Sequence, residues 1–307
     1  MRRVALLLAA LATACSPAAG ANGPRLELDA KVPWHQAWER FGGFSGLEML
    51  DGGTRFLTIS DRGFWVTGIV EREDGTLVHA RIDRRGRLHE TGGQIVRSDA
   101  FDAEGLAMDS RGRAYVSYEG ADRVRRYDEI NGRATALPSH PDFAKLQNNS
   151  GLEAIAVARD GTLYAIPERS GKLDRPFPVY RLRNGVWDKP FSVRRDGEFL
   201  VSDAAIGPEG DLYVLEREFS WLGFRTRVRR FSIGPEGLGN ERTLLETGLN
   251  ELDNMEGMSV WLDAEGRTRV TLISDDNFFP LQQTLFAEYI LVGDGPDRPP
   301  AARRAGN

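Results

Sequence analysis

Thiols are nearly absent from this sequence, since Cys15 is the only cysteine among 307 residues. No disulfide can form within the chain, and the body of the protein has no thiol chemistry. Histidine is almost as scarce. His35, His79, His89 and His140 stand apart, without the spacing of zinc ligands, and each reads as a surface or packing residue. Nucleophile and phosphate-loop motifs are missing as well. Ser45 in GFSGL and Ser150 in NNSGL do not complete a G-x-S-x-G pattern, and neither opens a helix, which excludes a serine-hydrolase elbow. Stretches such as GPEG lack the Lys-Ser/Thr of a phosphate-binding loop. No amphipathic pattern of helix length is present.

What is present is ordinary for a soluble domain with a sizeable core, 41% hydrophobic and 28% charged residues. The first residues, MRRVALLLAALATAC, combine two arginines, an apolar run and small residues, as a secretory signal does. The run is too short to span a bilayer. Ala12, Thr13 and Ala14 fit a cleavage site, and Cys15 occupies the place of the lipid-accepting cysteine of bacterial lipoproteins. Plain cleavage and release is the alternative. The expectation is an exported protein, periplasmic or membrane-anchored, with residues 1–20 as signal and linker and any membrane contact made through lipid on Cys15. Loss of Arg2 and Arg3 takes Lys+Arg from 40 to 38 against 45 acids, a mature charge of about −7. That balance argues against nucleic acid as a partner.

One pattern recurs five times, about fifty residues apart: FSGLEMLDGGTRFLTISD from 44, EGLAMDSRGRAYVSYEG from 104, SGLEAIAVARDGTLYAIPERS from 150, SDAAIGPEGDLYVLEREF from 202 and NMEGMSVWLDAEGRTRVTLISDD from 254. Each copy is a short apolar strand, a polar turn ending in Gly53, Gly112, Gly161, Gly210 or Gly266, and a second apolar strand. Glycine supplies the positive φ of a tight hairpin. A third, alternating strand is expected at VHARI from 78, VRRYD from 124, VYRLR from 179, VRRFS from 228 and AEYIL from 287, with a weaker fourth behind it, for example in GRLHETGGQIV and GLGNERTLLETG. The fold class is therefore all-β, a β-propeller of four-stranded antiparallel blades spanning 25–292, with five repeats visible and five or six blades. The last repeat lacks its fourth strand, and RLELDAKV from 25 is expected to supply it and close the ring. Residues 293–307, rich in Pro, Gly and Arg, read as a disordered tail.

Residues equidistant from a hairpin turn are cross-strand neighbours. Ser45 pairs in this way with Asp61, Glu104 with Glu119, Ser150 with Glu168, Asp203 with Glu216, and Glu256 with Asp275. With the first strand of each hairpin innermost, these residues gather on one face of the channel, together with Asp276. Glu48 and Glu153 fall two residues further in. So many carboxylates cannot all stay ionised without a counter-charge. Glu48, Glu104, Glu119, Glu153, Glu168, Glu216 and Asp275, with Asn254 and Asn277, are oxygen donors suited to calcium. Arg62, Arg169 and Arg217 follow acids on this rim and suit an anionic substrate. Ion pairing and loop satisfaction are the plainer roles of the same residues. Phe64, Trp65, Trp221, Phe224, Phe278 and Phe279 beyond the strand ends read as loop packing, with a substrate mouth as the alternative.

GGFSGLE with LTISDRG, AEGLAMDSRGRAYVSYEG, NNSGLEAIAVARDGTLYAIPE, LYVLEREF, and NMEGM with LISDDNF and QTLF resemble the phytase-like domain family, in order from about residue 41 to 292. The resemblance implies a bacterial secreted or membrane-attached propeller with esterase-like activity of the phytase type. Through more distant similarity to propeller phytases, it implies calcium-dependent hydrolysis of phosphate esters. Glu48, Asp61, Glu104, Glu119, Glu153, Glu168, Glu216, Glu256 and Asp275 carry over, with Arg62 and Arg217. On this reading Asp61, Arg62, Arg217 and Glu256 are the catalytic candidates, the ligand is a small anion and the cofactor is calcium. Two alternatives remain, a propeller lactonase and a non-catalytic binding or scaffold protein with a structural cation.

Overall fold

The computed structural model describes residues 23–96, 102–120, 123–146 and 151–294. Cys15, Ser150 and the segment 295–307 lie outside them. After strand β1 (Arg25–Pro33), the first blade consists of β2 (Phe44–Leu50), β3 (Arg55–Ser60), β4 (Phe64–Glu73) and β5 (Thr76–Arg87). The second has β6 (Ala103–Met108), β7 (Ala114–Tyr118), β8 (Arg123–Tyr127) and β9 (Thr135–Ala136). The third has β10 (Leu152–Val157), β11 (Leu163–Pro167), β12 (Phe177–Arg183) and β13 (Val186–Val193). The fourth has β14 (Leu200–Ile206), β15 (Leu212–Ser220), β16 (Gly223–Gly234) and β17 (Gly237–Glu246). The fifth has β18 (Met255–Leu262), β19 (Thr268–Ser274) and β20 (Leu285–Val292), and its outer strand is β1.

All five sheets are antiparallel with four strands, so the propeller has five blades rather than six. Two strand assignments in the first blade move: VHARI belongs to β5, the fourth strand, because β4 takes FWVTGIVERE as the third, and GRLHETGGQIV, expected as the fourth, lies beyond β5 except for Gly86 and Arg87. The turn glycines behave as their positions require. Gly53, Gly112, Gly161, Gly210 and Gly266 all have φ between 77° and 91°. In four of the five turns the glycine N–H donates to the carbonyl three residues back, at 2.9–3.0 Å.

The innermost strands β2, β6, β10, β14 and β18 each touch the next, and β18 returns to β2. Five apolar clusters fill the gaps between neighbouring blades. Middle strands are therefore buried on both faces, and their side chains are nearly all apolar. At the seam between first and last blades, Trp34 packs on Phe41, Phe44, Phe56 and Phe286 with ring centroids 4.8–5.2 Å apart. The same seam carries a buried ionic clasp. Glu288 accepts from Arg72 of the first blade at 2.6 Å and from Arg269 at 2.7 Å, and Arg269 reaches Asp29 of β1 at 2.6 Å.

Candidate functional site

Every innermost strand carries a β-bulge near its start. The register slips across Ser45, Glu104, Glu153, Ser202 and Glu256 in the five blades in turn. A bulge leaves one residue unpaired and re-aims its side chain. Five bulges around a ring make a tier of side chains at one mouth of the channel, in the order Ser, Glu, Glu, Ser, Glu. A second tier sits just beyond: Asp61, Glu119, Glu168 and Asp275, each directly after the second strand of its blade, and Arg217, which lies within the longer β15. The backbone N–H of Asp61, Glu119, Glu168 and Asp275 donates to Gly43, Asp102, Gly151 and Asn254 at 2.9–3.1 Å, and Arg217 pairs with Leu200 at the equivalent place.

These tiers line a cavity of about 200 Å³ whose walls include eight carboxylates, those of Asp61, Asp102, Glu104, Glu119, Glu153, Glu168, Glu256 and Asp275, and one guanidinium, that of Arg217. Ser45 and Asn277 complete the lining. Gly43 is required at its edge: its φ is +66°, and a Cβ there would meet Asp61 Oδ1 at 2.3 Å.

Arg217 is bound from three sides. It donates to Asn254 Oδ1 at 2.7 Å, to Glu168 Oε1 at 3.3 Å and to Glu256, while Asn254 Nδ2 donates to Glu256 at 2.9 Å. Glu168 also pairs with Arg169 at 3.1 Å. Glu119 accepts from the Gly151 N–H at 3.2 Å, and Asp275 from the Asn277 N–H at 2.8 Å. Glu104 and Glu153 differ, because no hydrogen-bond donor among the described residues reaches either carboxylate, although Glu153 is only 7% exposed. Burial, then the charges of Glu256, Glu119, Asp102 and Asp61, holds Glu104 well above the usual carboxylate range. Burial, with Glu104, Glu168 and Glu256 near it, does the same to Glu153. Burial also raises Asp275 well above that range and Asp61 to about 6. One oxygen each from Asp102, Glu104 and Glu119 lie within 4.8 Å of one another.

The ring expected from the sequence is thus assembled with four changes. Asp276 does not line the cavity, its Oδ1 accepting instead from the Gly43 and Phe278 N–H groups at 3.2 and 3.1 Å. Glu216 is not in the ring. Its carboxylate is fully buried at the boundary of blades three and four, taking Arg227 Nε at 2.8 Å and Arg229 Nε at 2.7 Å. Its neighbour Arg217 holds the fourth second-tier position instead, since one step along a strand turns the side chain to the other face. Asp203, paired with Glu216 in the sequence reading, is also one step too deep. It occupies a level held elsewhere by Gly46, Gly105, Ala154 and Gly257, where inner strands approach so closely that a Cβ on Gly105 would lie 2.3 Å from the Glu153 carbonyl oxygen. Its carboxylate accepts the N–H groups of Met258 at 2.7 Å and Ala204 at 2.8 Å, a structural use. Glu153 rises from the deeper level to the mouth.

Glu48 stays deep, accepting from the Met108 N–H at 2.8 Å and bordering the opposite, turn-side opening, and burial raises it to about 8. Arg62 lies on the rim with its guanidinium over the Phe278 ring, 3.1 Å from the centroid. Phe64 and Trp65 are buried, whereas Trp221 and Phe279 stand exposed. Asp102 is the residue the sequence reading missed. Its signal was the DAEGL spacing, in which Asp102 faces the backbone of the exit acid Glu119.

The phytase-like family, described as having esterase-like activity of phytase, matches residues 39–278. No curated protein sequence matches significantly. Similar solved structures include a calcium-binding protein, regucalcin, from Agrobacterium tumefaciens, 14% identical over 81% of this chain and 77% of that one, with a TM-score of 0.45. A gluconolactonase from Xanthomonas campestris is 11% identical over 86% and 96% of the two chains, TM-score 0.45. A protein of unknown function from Dyadobacter fermentans is 10% identical over 89% and 88%, TM-score 0.46.

Proposed function

Since the chain belongs to the phytase-like family, we propose that it is a metal-dependent hydrolase of an anionic ester, most simply a phosphate ester, with calcium as the cation. The observation that carries this reading is Glu153, a buried carboxylate with no donor of its own in a cavity whose eight acids face one arginine. An uncompensated buried charge is costly, so a cation is the natural partner. The donor set is all oxygen, which suits a hard ion such as calcium.

Asp102, Glu104 and Glu119 would hold the ion, with Glu153 beside them. Bound there, it would supply Lewis-acid polarisation of the ester and a more acidic water. Arg217 donates to Glu168 and Glu256 and offsets part of their negative charge. Arg62 and Arg169 flank the mouth, where a guanidinium meets an incoming anion. Asp61, held near 6, has the proton affinity of a general base at neutral pH. Export, argued from residues 1–15, would put this site where calcium is plentiful enough for a modest affinity, about 10⁻⁴–10⁻³ M.

The test is a melt of the purified chain in chelator and in added calcium, followed on the same sample by assays with inositol hexakisphosphate, an aryl phosphate, an aryl ester and a lactone. At a hundredfold excess over its Kd, the ion is expected to add about 2.7 kcal/mol. Glu104→Gln is expected to lose most of that gain. An unchanged melting temperature in calcium sinks the cation, a shift without turnover makes it structural, and turnover of lactones alone reassigns the substrate.

A further inference from the structure

Four of the five second-tier positions are acids, and the fifth is Arg217. The tiers follow the near-fivefold repeat of the blades, so one position carries a fixed positive charge where its four equivalents carry a negative one. Its guanidinium spans Glu168 of blade three and Glu256 of blade five, with Asn254 between them. The acids it does not touch include Asp102, Glu104 and Glu119 on blade two, and the buried, donorless Glu153 looks into the cavity between the two groups.

We propose that Arg217 is a tethered counter-ion that fills a second cation position and so limits the site to a single divalent ion on the blade-two side. This rests on the cation reading above. Replacing Arg217 with an acid completes the ring of five and, by removing one positive charge and adding one negative, lowers the net charge by two, which is what one dication returns. Glu168, Glu256, the Asn254 carbonyl oxygen and the new carboxylate would then offer four oxygens, to be completed by water as calcium commonly requires. A second metal position would change the site from one polarising ion to a pair, so Arg217 determines which chemistry is open to it.

The experiment counts ions rather than turnover. Calcium is titrated calorimetrically into the metal-stripped wild-type chain, Arg217→Asp, Arg217→Asn and Arg217→Lys. One ion per chain is expected for wild type and for Arg217→Lys, and two for Arg217→Asp and Arg217→Asn. Equal counts in wild type and both oxygen-bearing variants overturn the inference, as does a second ion in Arg217→Lys. A wild-type count of zero strikes at the cation reading instead; even then, an ion gained on removing the arginine supports the tethered counter-charge. Arg217→Asn adds no negative charge, so its count decides the matter if the acidic substitution impairs folding: two ions support the inference and one overturns it.

Discussion

Glu216→Ala is expected to destabilise the domain by about 3–5 kcal/mol, one of the largest single-residue effects in the molecule. Glu216 is fully buried, as is Arg229, and Arg227 is 3% exposed. One carboxylate oxygen receives both Nε groups, at 2.8 and 2.7 Å. Removal of the carboxylate leaves two guanidinium groups short of a partner in the seam between blades, and this uncompensated charge sets the magnitude. Glu241, 2.8 Å from Arg229 Nη1, and Asp196, 3.3 Å from Arg227 Nη1, retain part of the pairing and keep the loss within that range. Melting should fall by roughly 10 °C. The calcium-dependent shift should persist, because this carboxylate does not face the channel. A change below about 1 kcal/mol, or loss of the calcium shift, contradicts the placement of Glu216.

The second large effect is a pH dependence that calcium reverses. Burial raises Glu104, Glu153 and Asp275 well above the ordinary carboxylate range, Asp61 to about 6 and Glu48 to about 8. Between the unfolded-chain values near 4–4.5 and these raised ones, the folded protein binds more protons than the unfolded chain. Its stability therefore falls as pH rises through that window. In chelator, the melting temperature at pH 8 should lie below that at pH 5.5 by on the order of 5–10 °C, since each unit of pKa difference is worth 1.36 kcal/mol before solvent screening. Added calcium requires the ionised carboxylates, so its stabilisation should be larger at pH 8 than at pH 5.5. Calorimetry across that range decides the matter, and a melting temperature in chelator that is flat or rising with pH refutes it.

The blade hairpins were legible because glycine turns and strand alternation are local signals. The fourth blade shows where such reading stops. The mirror centre lies on residue 209 rather than between 209 and 210, so Asp203 faces Leu215, and beyond the bulge Val201 faces Glu216 and Leu200 faces Arg217. Choosing the acids put the pair one residue too close to the turn, and nothing local says which pair reaches the mouth. That depends on the bulge at Ser202, which reflects how tightly five inner strands crowd the axis. Glu153 was misplaced because its hairpin was paired from Ser150, whereas the bulge leaves Glu153 unpaired between the Leu152–Pro167 and Ala154–Ile166 pairs, and the Glu168 N–H donates to Gly151. Ring closure was legible because a repeat with a missing strand and an orphan strand at the far end leave one arrangement. The clasp around Glu288 was not, since its members come from three separate stretches of chain.

That closure also fixes an order of events. Arg25 pairs with Val292, so the first strand of the propeller finds its partner only when the propeller's last strand has emerged. Every other strand pairs with a neighbour in sequence, and the propeller can form blade by blade as an open arc. Joining the two ends carries the largest loop-closure entropy, although that cost grows only as about 1.5 RT times the logarithm of the separation. Contacts of such range delay completion. An incomplete chain therefore exposes the apolar edge of an arc and has no closed, ion-binding mouth. The cation site and the finished ring mature in the same step, so a divalent ion present during refolding would reward only chains that have joined end to end.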